Sequence, residues 1–571
     1  MLSKWMSGLV LVLGTAACFG NDSSDPGTDA GTTPGDTTVS YLTPTAHLSR
    51  ASLALRGIRP SLQDLKAVDA DPSRLPVLVD GYLQSAEFGE TIKDLHNATL
   101  LMRIEYPLLT PPTLGPLATT TFMEMNTLFE EPLELIANIV MNDRPYTEIV
   151  TASYTVANDV SSQVWGLPHT AGSKAWEKTH YADGRGAAGI LSTSILFQRW
   201  RSTGFNFNRG RANMVSRSLL CHDFLKSDIA VDTSVDLSDP NAVANAVVAN
   251  PSCAGCHQTL DPLASYFFPP DGVHAYSSYP DTTSTRVFWD QRRTTAWKAT
   301  NKRPPMFFGD DTVVDLGGLG AAIAADPRFA QCAAIHFASY MSEVPADQLS
   351  GAWVARLQAQ FVASGYSAKQ LAKAVVLSDE FRVSHATDPT VAEGVVGYLK
   401  LRPEQMSREL ADLAGFSWSL DSATRAGNLV VGFVDLLRSD FIGFRVLAGG
   451  IDSYFVSTSV FTMNATASLT MKLAASAAAD LVVDNDAAAP AAARKVFTQA
   501  AVTATDAPSV RAELAYLHAR LYGELASPTD PAVDESYALF TGALAETQGD
   551  AVRAWKLTLI GMLCDLRSQY Y

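Results

Sequence analysis

Asn250-Pro251-Ser252-Cys253-Ala254-Gly255-Cys256-His257 places two cysteines three residues apart, with a histidine directly after the second. On a helical turn this spacing brings both thiols and the imidazole to one side, and Ser252 stands where a side chain caps the turn. The two thiols can then form thioethers with the two vinyl groups of one haem while His257 reaches the iron from the proximal side. Chance yields CxxCH in roughly one chain in a thousand with this cysteine and histidine content. Two other readings of the cysteines stay open. A thiol/disulfide redox pair wants the CxxC at the start of a helix after a strand, and helical spacing over Asp239 to Val248 stands there instead. A zinc or structural site would need further ligands from Cys221, His222 or Cys332.

Outward from the motif, apolar residues recur at helical spacing. The runs are Thr43 to about Ile104, Thr120 to Met141, Leu191 to Trp200, Arg211 to Leu225, Val313 to Met341, Trp353 to Leu377 and Pro403 to Leu413. Alternation long enough for a sheet is scarce. The expected fold is mainly α: several helical modules, one carrying the CxxCH segment, with long irregular connections around 265–310. Residues 41–184 form an N-terminal helical domain, 185–390 the motif domain, and 391–571 an Ala-rich helical domain that includes Ser468 to Val483, Ala488 to Ala504 and Ala507 to Leu525. Ser85-Ala86-Glu87-Phe88 is echoed by Ser378-Asp379-Glu380-Phe381, with Ser expected to cap a turn and Phe to close the core. Pairs such as Glu130-Glu131 read as a solvated helix face, and no Ser-His-Asp order, phosphate loop or HExxH stands out.

The 571 residues are 47% hydrophobic, which excludes a disordered chain, and the formal charge of -16 without any Lys/Arg run longer than three excludes nucleic acid as a partner. Six cysteines are too few for a disulfide-built scaffold of this size, so each needs its own explanation. Met1 to Cys18 reads as a secretory leader, with Lys4, an apolar stretch from Trp5 to Gly14 that is too short to span a bilayer, and the small residues Thr15-Ala16-Ala17. Cys18 after that triplet resembles the acylated cysteine of bacterial lipoproteins, although Thr15 replaces the usual Leu. The alternative is an ordinary signal peptide cut near Ala17. Residues 19–40 are polar and almost free of apolar side chains, as a disordered tether would be. Phe19 rather than Asp after Cys18 favours, by the same resemblance, the outer membrane.

Asn208-Arg209-Gly210-Arg211, Ser218-Leu219-Leu220-Cys221, the motif through Asp261-Pro262, and Asp326-Pro327-Arg328-Phe329-Ala330-Gln331-Cys332 together resemble the cytochrome-c-like domains of unknown function of planctomycetes and myxobacteria. Weaker echoes cover 43–105 and 440–571. Ala264 stands where the family has Gly, and Phe267-Phe268-Pro269-Pro270 replaces its acidic stretch. The resemblance implies a secreted protein with one covalent haem c, held by Cys253, Cys256 and His257, and supplies no reaction. It also places Cys221 and Cys332 in one module, where an oxidising compartment favours their disulfide, with Cys564 buried; the bland alternative is three small core residues. Met306, after Pro304-Pro305, is the first candidate for the second axial iron ligand, with His336 and Met341 behind it. Packing beside Phe307 and Phe308 would equally explain Met306, and His222 is given no role.

Three functions follow as expectations. The first is a lipid-anchored c-type haem protein that passes electrons in the periplasm or at the outer membrane to a redox partner the sequence does not identify. The second is a haem-dependent oxidoreductase of peroxidase-like kind. The third is a surface binding or scaffold lipoprotein whose CxxCH segment is structural.

Overall fold

Thr43 accepts the N–H of Ala46, Pro44 occupies the first turn, and Gly57 at φ 68° closes the helix Pro44–Arg56. These local signals define the first helix of the computed structural model. The model describes residues 39–571, apart from 106–108, 113–114, 203–205, 227–231, 237, 274–285, 387–395, 421–424 and 427–428. Cys18, the leader and residues 19–38 of the tether lie outside the described residues. Val39 and Ser40, assigned to the tether from sequence, instead form the strand Val39–Tyr41, antiparallel to Val383–Ala386. Buried Arg50 fixes that junction by donating to the carbonyls of Phe381, Val383 and Gly397 at 2.9, 2.7 and 2.9 Å.

Among the described residues the fold is mainly α, and strand is confined to five two-stranded pairs. One hydrophobic core draws on residues from Leu48 to Phe381, with Ala519, so side chains on both sides of the 184/185 junction share one interior. A second core gathers residues from Met406 to Leu563. Charged pairs join the two: Arg59 with Glu409 at 3.4 Å, Arg408 with Asp94 at 2.6 Å, and Arg402 with Glu343 at 3.3 Å. Phe88 and Phe381 are fully buried, each behind a serine that accepts its backbone N–H.

Several long helical runs break where the chain carries a stop signal. Val313 to Met341 divides at Asp326, whose carboxylate caps the helix Pro327–Ser342. Trp353 to Leu377 divides at Gly365, φ 71°. Thr120 to Met141 divides at Glu131-Pro132, since Pro is tolerated only in the first turn of the helix Glu131–Met141. The expected helix Ala488 to Ala504 does not form. Beyond Pro490 the N–H groups of Lys495, Val496 and Phe497 donate to Asp486 and those of Gln499 and Ala500 to Glu513, so two buried carboxylates replace the helical carbonyls. The helix Ala465–Ala488 is long and apolar enough to cross a membrane, by length and composition alone. Here its buried stripe of Ala474, Ala475, Ala478, Ala479 and Val482 lies in the second core, and Lys556 of the helix Ala551–Cys564 reaches its Asp484 at 2.8 Å.

Glu131 is not on a solvated face: it is fully buried, because the helix Glu131–Met141 is covered by the strand Thr155–Ala157 and by Tyr181. Its Oε1 accepts from Thr155 and Tyr181, both at 2.8 Å, while Oε2 has no partner among the described residues. Burial, opposed by those two hydrogen bonds and the Arg185 charge, pushes its carboxyl up to about 7. The folded value exceeds the unfolded one of roughly 4.3, so the stability the neutral acid supplies below that value is lost as pH rises through 7. Glu131→Gln should therefore raise the melting temperature at pH 8, by a free energy on the order of 2–3 kcal/mol, and leave it nearly unchanged at pH 4. Circular-dichroism melts at the two pH values check this; an equal shift at both would remove the titration as its cause.

Candidate functional site

The helix Pro251–Ser265 carries the cysteine and histidine motif. Asn250, not Ser252, caps it: the Asn250 Oδ1 accepts the Ser252 N–H at 3.0 Å, and Pro251 fills the first position. Asn250 is itself held by its amide, which donates to Asp232 at 2.7 Å. The helix Pro240–Ala249, not a strand, precedes it, so the setting of a thioredoxin-like redox pair is missing. The second half of the motif helix, Leu260 to Ser265, is buried, whereas Cys253, Cys256 and His257 are half-buried. Their i, i+3 and i, i+4 spacing puts the three on one side of the exposed half.

His257 Nδ1 lies 2.9 Å from Asp261 Oδ1, one turn further along. Asp261 is only 1% exposed and is gripped by Arg209, whose Nε and Nη2 donate at 2.6 and 3.1 Å, with Arg303 Nε at 3.8 Å. Burial alone would raise the Asp261 carboxyl. Hydrogen bonds from His257 and Arg209, with their charges, overcome that and hold it below the usual carboxylate range. An ionised carboxylate can only accept, so Nδ1 carries the proton of a neutral His257 and Nε2 keeps its lone pair for a metal. The His-x-x-x-Asp spacing was readable in sequence as an i, i+4 pair; the two arginines, from positions 209 and 303, were not.

Arg303 and its neighbour Asn301 also bring the connection after the motif onto its helix. Asn301 donates to the Asp261 carbonyl at 3.0 Å and to Ser265 Oγ at 2.8 Å, while Ser265 donates to the Arg303 carbonyl at 2.6 Å. Met306 follows three residues later and is half-buried, beside buried Phe307. The other candidate ligands are engaged elsewhere. Met341 is fully buried in the first core, and His336 Nε2 lies 3.1 Å from the Ser218 carbonyl and 3.2 Å from Cys332 Sγ. Burial, with the Arg217 charge, outweighs the Ser218 hydrogen bond and lowers the His336 imidazole to about 4. His222 packs edge-on against Phe224 and Phe308, at 4.6 and 5.7 Å between ring centroids.

Cys221 and Cys332 are joined in a disulfide, between the end of the helix Arg209–Leu220 and the helix Pro327–Ser342. Bonded to each other, they cannot serve as zinc ligands for Cys253 and Cys256. Cys564 is exposed rather than buried. It ends the helix Ala551–Cys564 about 180° around from Trp555, whose stripe with Leu559 and Met562 faces the core.

Two apolar stretches near the motif in sequence are left without cover among the described residues. Of the ten residues of the helix Pro240–Ala249 only Ala246 is buried, and Val248 and Leu225 are 65% and 77% exposed. Comparison with protein-family models, with curated proteins and with solved structures finds no match.

Proposed function

We propose that the chain is a c-type haem protein, anchored to the cell envelope through Cys18 and passing electrons to a separate redox partner at the outer membrane or in the periplasm. The observation that carries the reading is the His257–Asp261–Arg209 chain behind a CxxCH motif. The donor set fits haem: two half-buried thiols share one side of the helix with an imidazole whose Nδ1 is occupied, which leaves Nε2 as the ligating atom. The uncovered helix Pro240–Ala249, packed next to the motif helix, offers apolar surface of the kind a porphyrin would shield. In this reading Cys253 and Cys256 would hold the macrocycle, His257 would bind iron, and Met306 is the candidate for a second iron ligand. A bound haem would supply one-electron chemistry at a potential tuned by its ligands and their hydrogen bonds.

A second reading, a haem-dependent oxidoreductase of peroxidase-like kind, is favoured by Asp261 itself. A carboxylate on the distal nitrogen of a ligating histidine makes the imidazole a stronger donor, which stabilises the oxidised metal. The test is expression of the full chain with cytochrome c maturation machinery, a haem-stained denaturing gel and a pyridine haemochrome spectrum. Covalent haem is expected, and its absence sinks both readings in favour of a binding or scaffold lipoprotein. Asp261→Asn, which keeps the shape and an acceptor, should raise the midpoint potential of the loaded protein; an unchanged potential would remove Asp261 from the control of iron.

A further inference from the structure

A cavity of about 440 Å³ opens between the helices Ala86–Leu100 and Glu131–Met141 on one side and the segment 433–439 on the other. Its size falls within the roughly 300–1,000 Å³ of small-molecule sites. It is remote in sequence from the CxxCH motif and has no part in the haem reading.

The wall is short of donors and of positive charge. Its three cations are already committed: Lys93 lies 2.6 Å from Glu90 and 2.8 Å from Glu134, Arg103 2.6 Å from Glu130, and Arg438 2.8 Å from Glu90. Two more carboxylates have no cation within ion-pair distance among the described residues. Glu105 accepts from the Ser439 hydroxyl at 2.6 Å and the Asp440 N–H at 2.8 Å. Asp435 accepts from Ser407 at 2.7 Å and from the N–H groups of Leu437 and Arg438. Five carboxylates thus face three cations. Asn126 lines the cavity and gives an amide hydrogen to the Phe122 carbonyl at 3.0 Å, while its Oδ1 is buried away from the open space and has no partner among the described residues. Burial raises the carboxyls of Glu105 and Glu134, while the cations beside Glu90 and Glu130 outweigh burial there and hold theirs below the usual range.

The remaining wall suits the body of an organic ion. Ile104 and Met123 supply apolar surface, and Phe433, 55% exposed, presents a ring from the far side. An aromatic face beside surplus carboxylates is how proteins hold alkylammonium groups. A neutral ligand would leave the charge imbalance standing, and an anion would worsen it.

We infer that this cavity binds an organic ammonium ion, a small alkyl diamine being the simplest member, with its amine donors toward Glu105 and Asp435 and its carbon chain against Met123 and Phe433. The test is isothermal titration of the full-length protein with 1,4-diaminobutane at about 0.15 M salt, where diffuse attraction to an acidic surface is largely screened. Its neutral isostere 1,4-butanediol serves as control. One site per chain is expected, no butanediol heat, and affinity weakened about tenfold or more by Phe433→Ala and by Glu105→Gln, the loss of one good contact each. Phe433 is exposed, so its replacement keeps the test standing if Glu105→Gln misfolds in circular dichroism. No saturable binding at millimolar diamine, several weak sites, equal binding of butanediol, or an affinity unchanged in the folded variants would each overturn the assignment.

Discussion

Replacing both Cys253 and Cys256 by Ser is expected to abolish covalent haem completely, leaving no haem-stained band and no haemochrome signal, while the rest of the chain still folds. The expectation of an all-or-none loss rests on the chemistry of attachment, since a hydroxyl does not add to a vinyl group as a thiol does. The expectation of an intact fold rests on position. Both cysteines lie on the exposed half of the motif helix, so exchanging sulfur for oxygen there leaves the buried residues Leu260 to Ser265 untouched. His257→Ala should behave differently, because it removes the proposed iron ligand and also takes the imidazole from Asp261, which then keeps only its arginine partners. Haem-stained gels separate the two cases, and far-ultraviolet circular dichroism reports the fold. A covalent band surviving the double serine change would end the CxxCH reading outright.

The second large effect is expected from the double change Cys221→Ser and Cys332→Ser. The disulfide closes a loop of 111 residues. For a loop of that length chain-entropy arithmetic gives about 5 kcal/mol of stabilisation through the unfolded state. Denaturant melts should show the transition midpoint falling sharply with its slope reporting a less compact unfolded ensemble. A midpoint within experimental error of the parent would mean that the helices Arg209–Leu220 and Pro327–Ser342 are held together by packing alone.

Much of the helical content was legible because it depends on local pattern, as the apolar spacing in 353–377 or 507–521 shows. What sequence hid was the competition for backbone hydrogen bonds. Ala-rich 488–504 reads as helix apart from Pro490, yet beyond that proline Asp486 and Glu513 capture its N–H groups, and neither carboxylate announces this from its own neighbourhood. Glu131 was misread for the same reason: an acid beside another acid reads as surface until Thr155 and Tyr181 are folded over it. At the motif, the chemistry-bearing residues were visible as a run of adjacent letters. Arg209 and Arg303 entered only through the fold, which brings positions 209, 261 and 303 to a single carboxylate.

The disulfide brackets the motif, and this sets an order on biogenesis. A chain exported from its N-terminus presents Cys221 first, Cys253 and Cys256 next, and the correct partner Cys332 last. Loop-closure entropy favours the near cysteines over the far one by about 1 kcal/mol, so an oxidant acting early would trap Cys221 on the wrong sulfur. On the proposed haem reading, covalent capture of Cys253 and Cys256 before Cys332 arrives would remove both competitors permanently. The cofactor would then act as a protecting group during maturation, and cells unable to attach it should accumulate scrambled, protease-sensitive chains rather than a clean apoprotein.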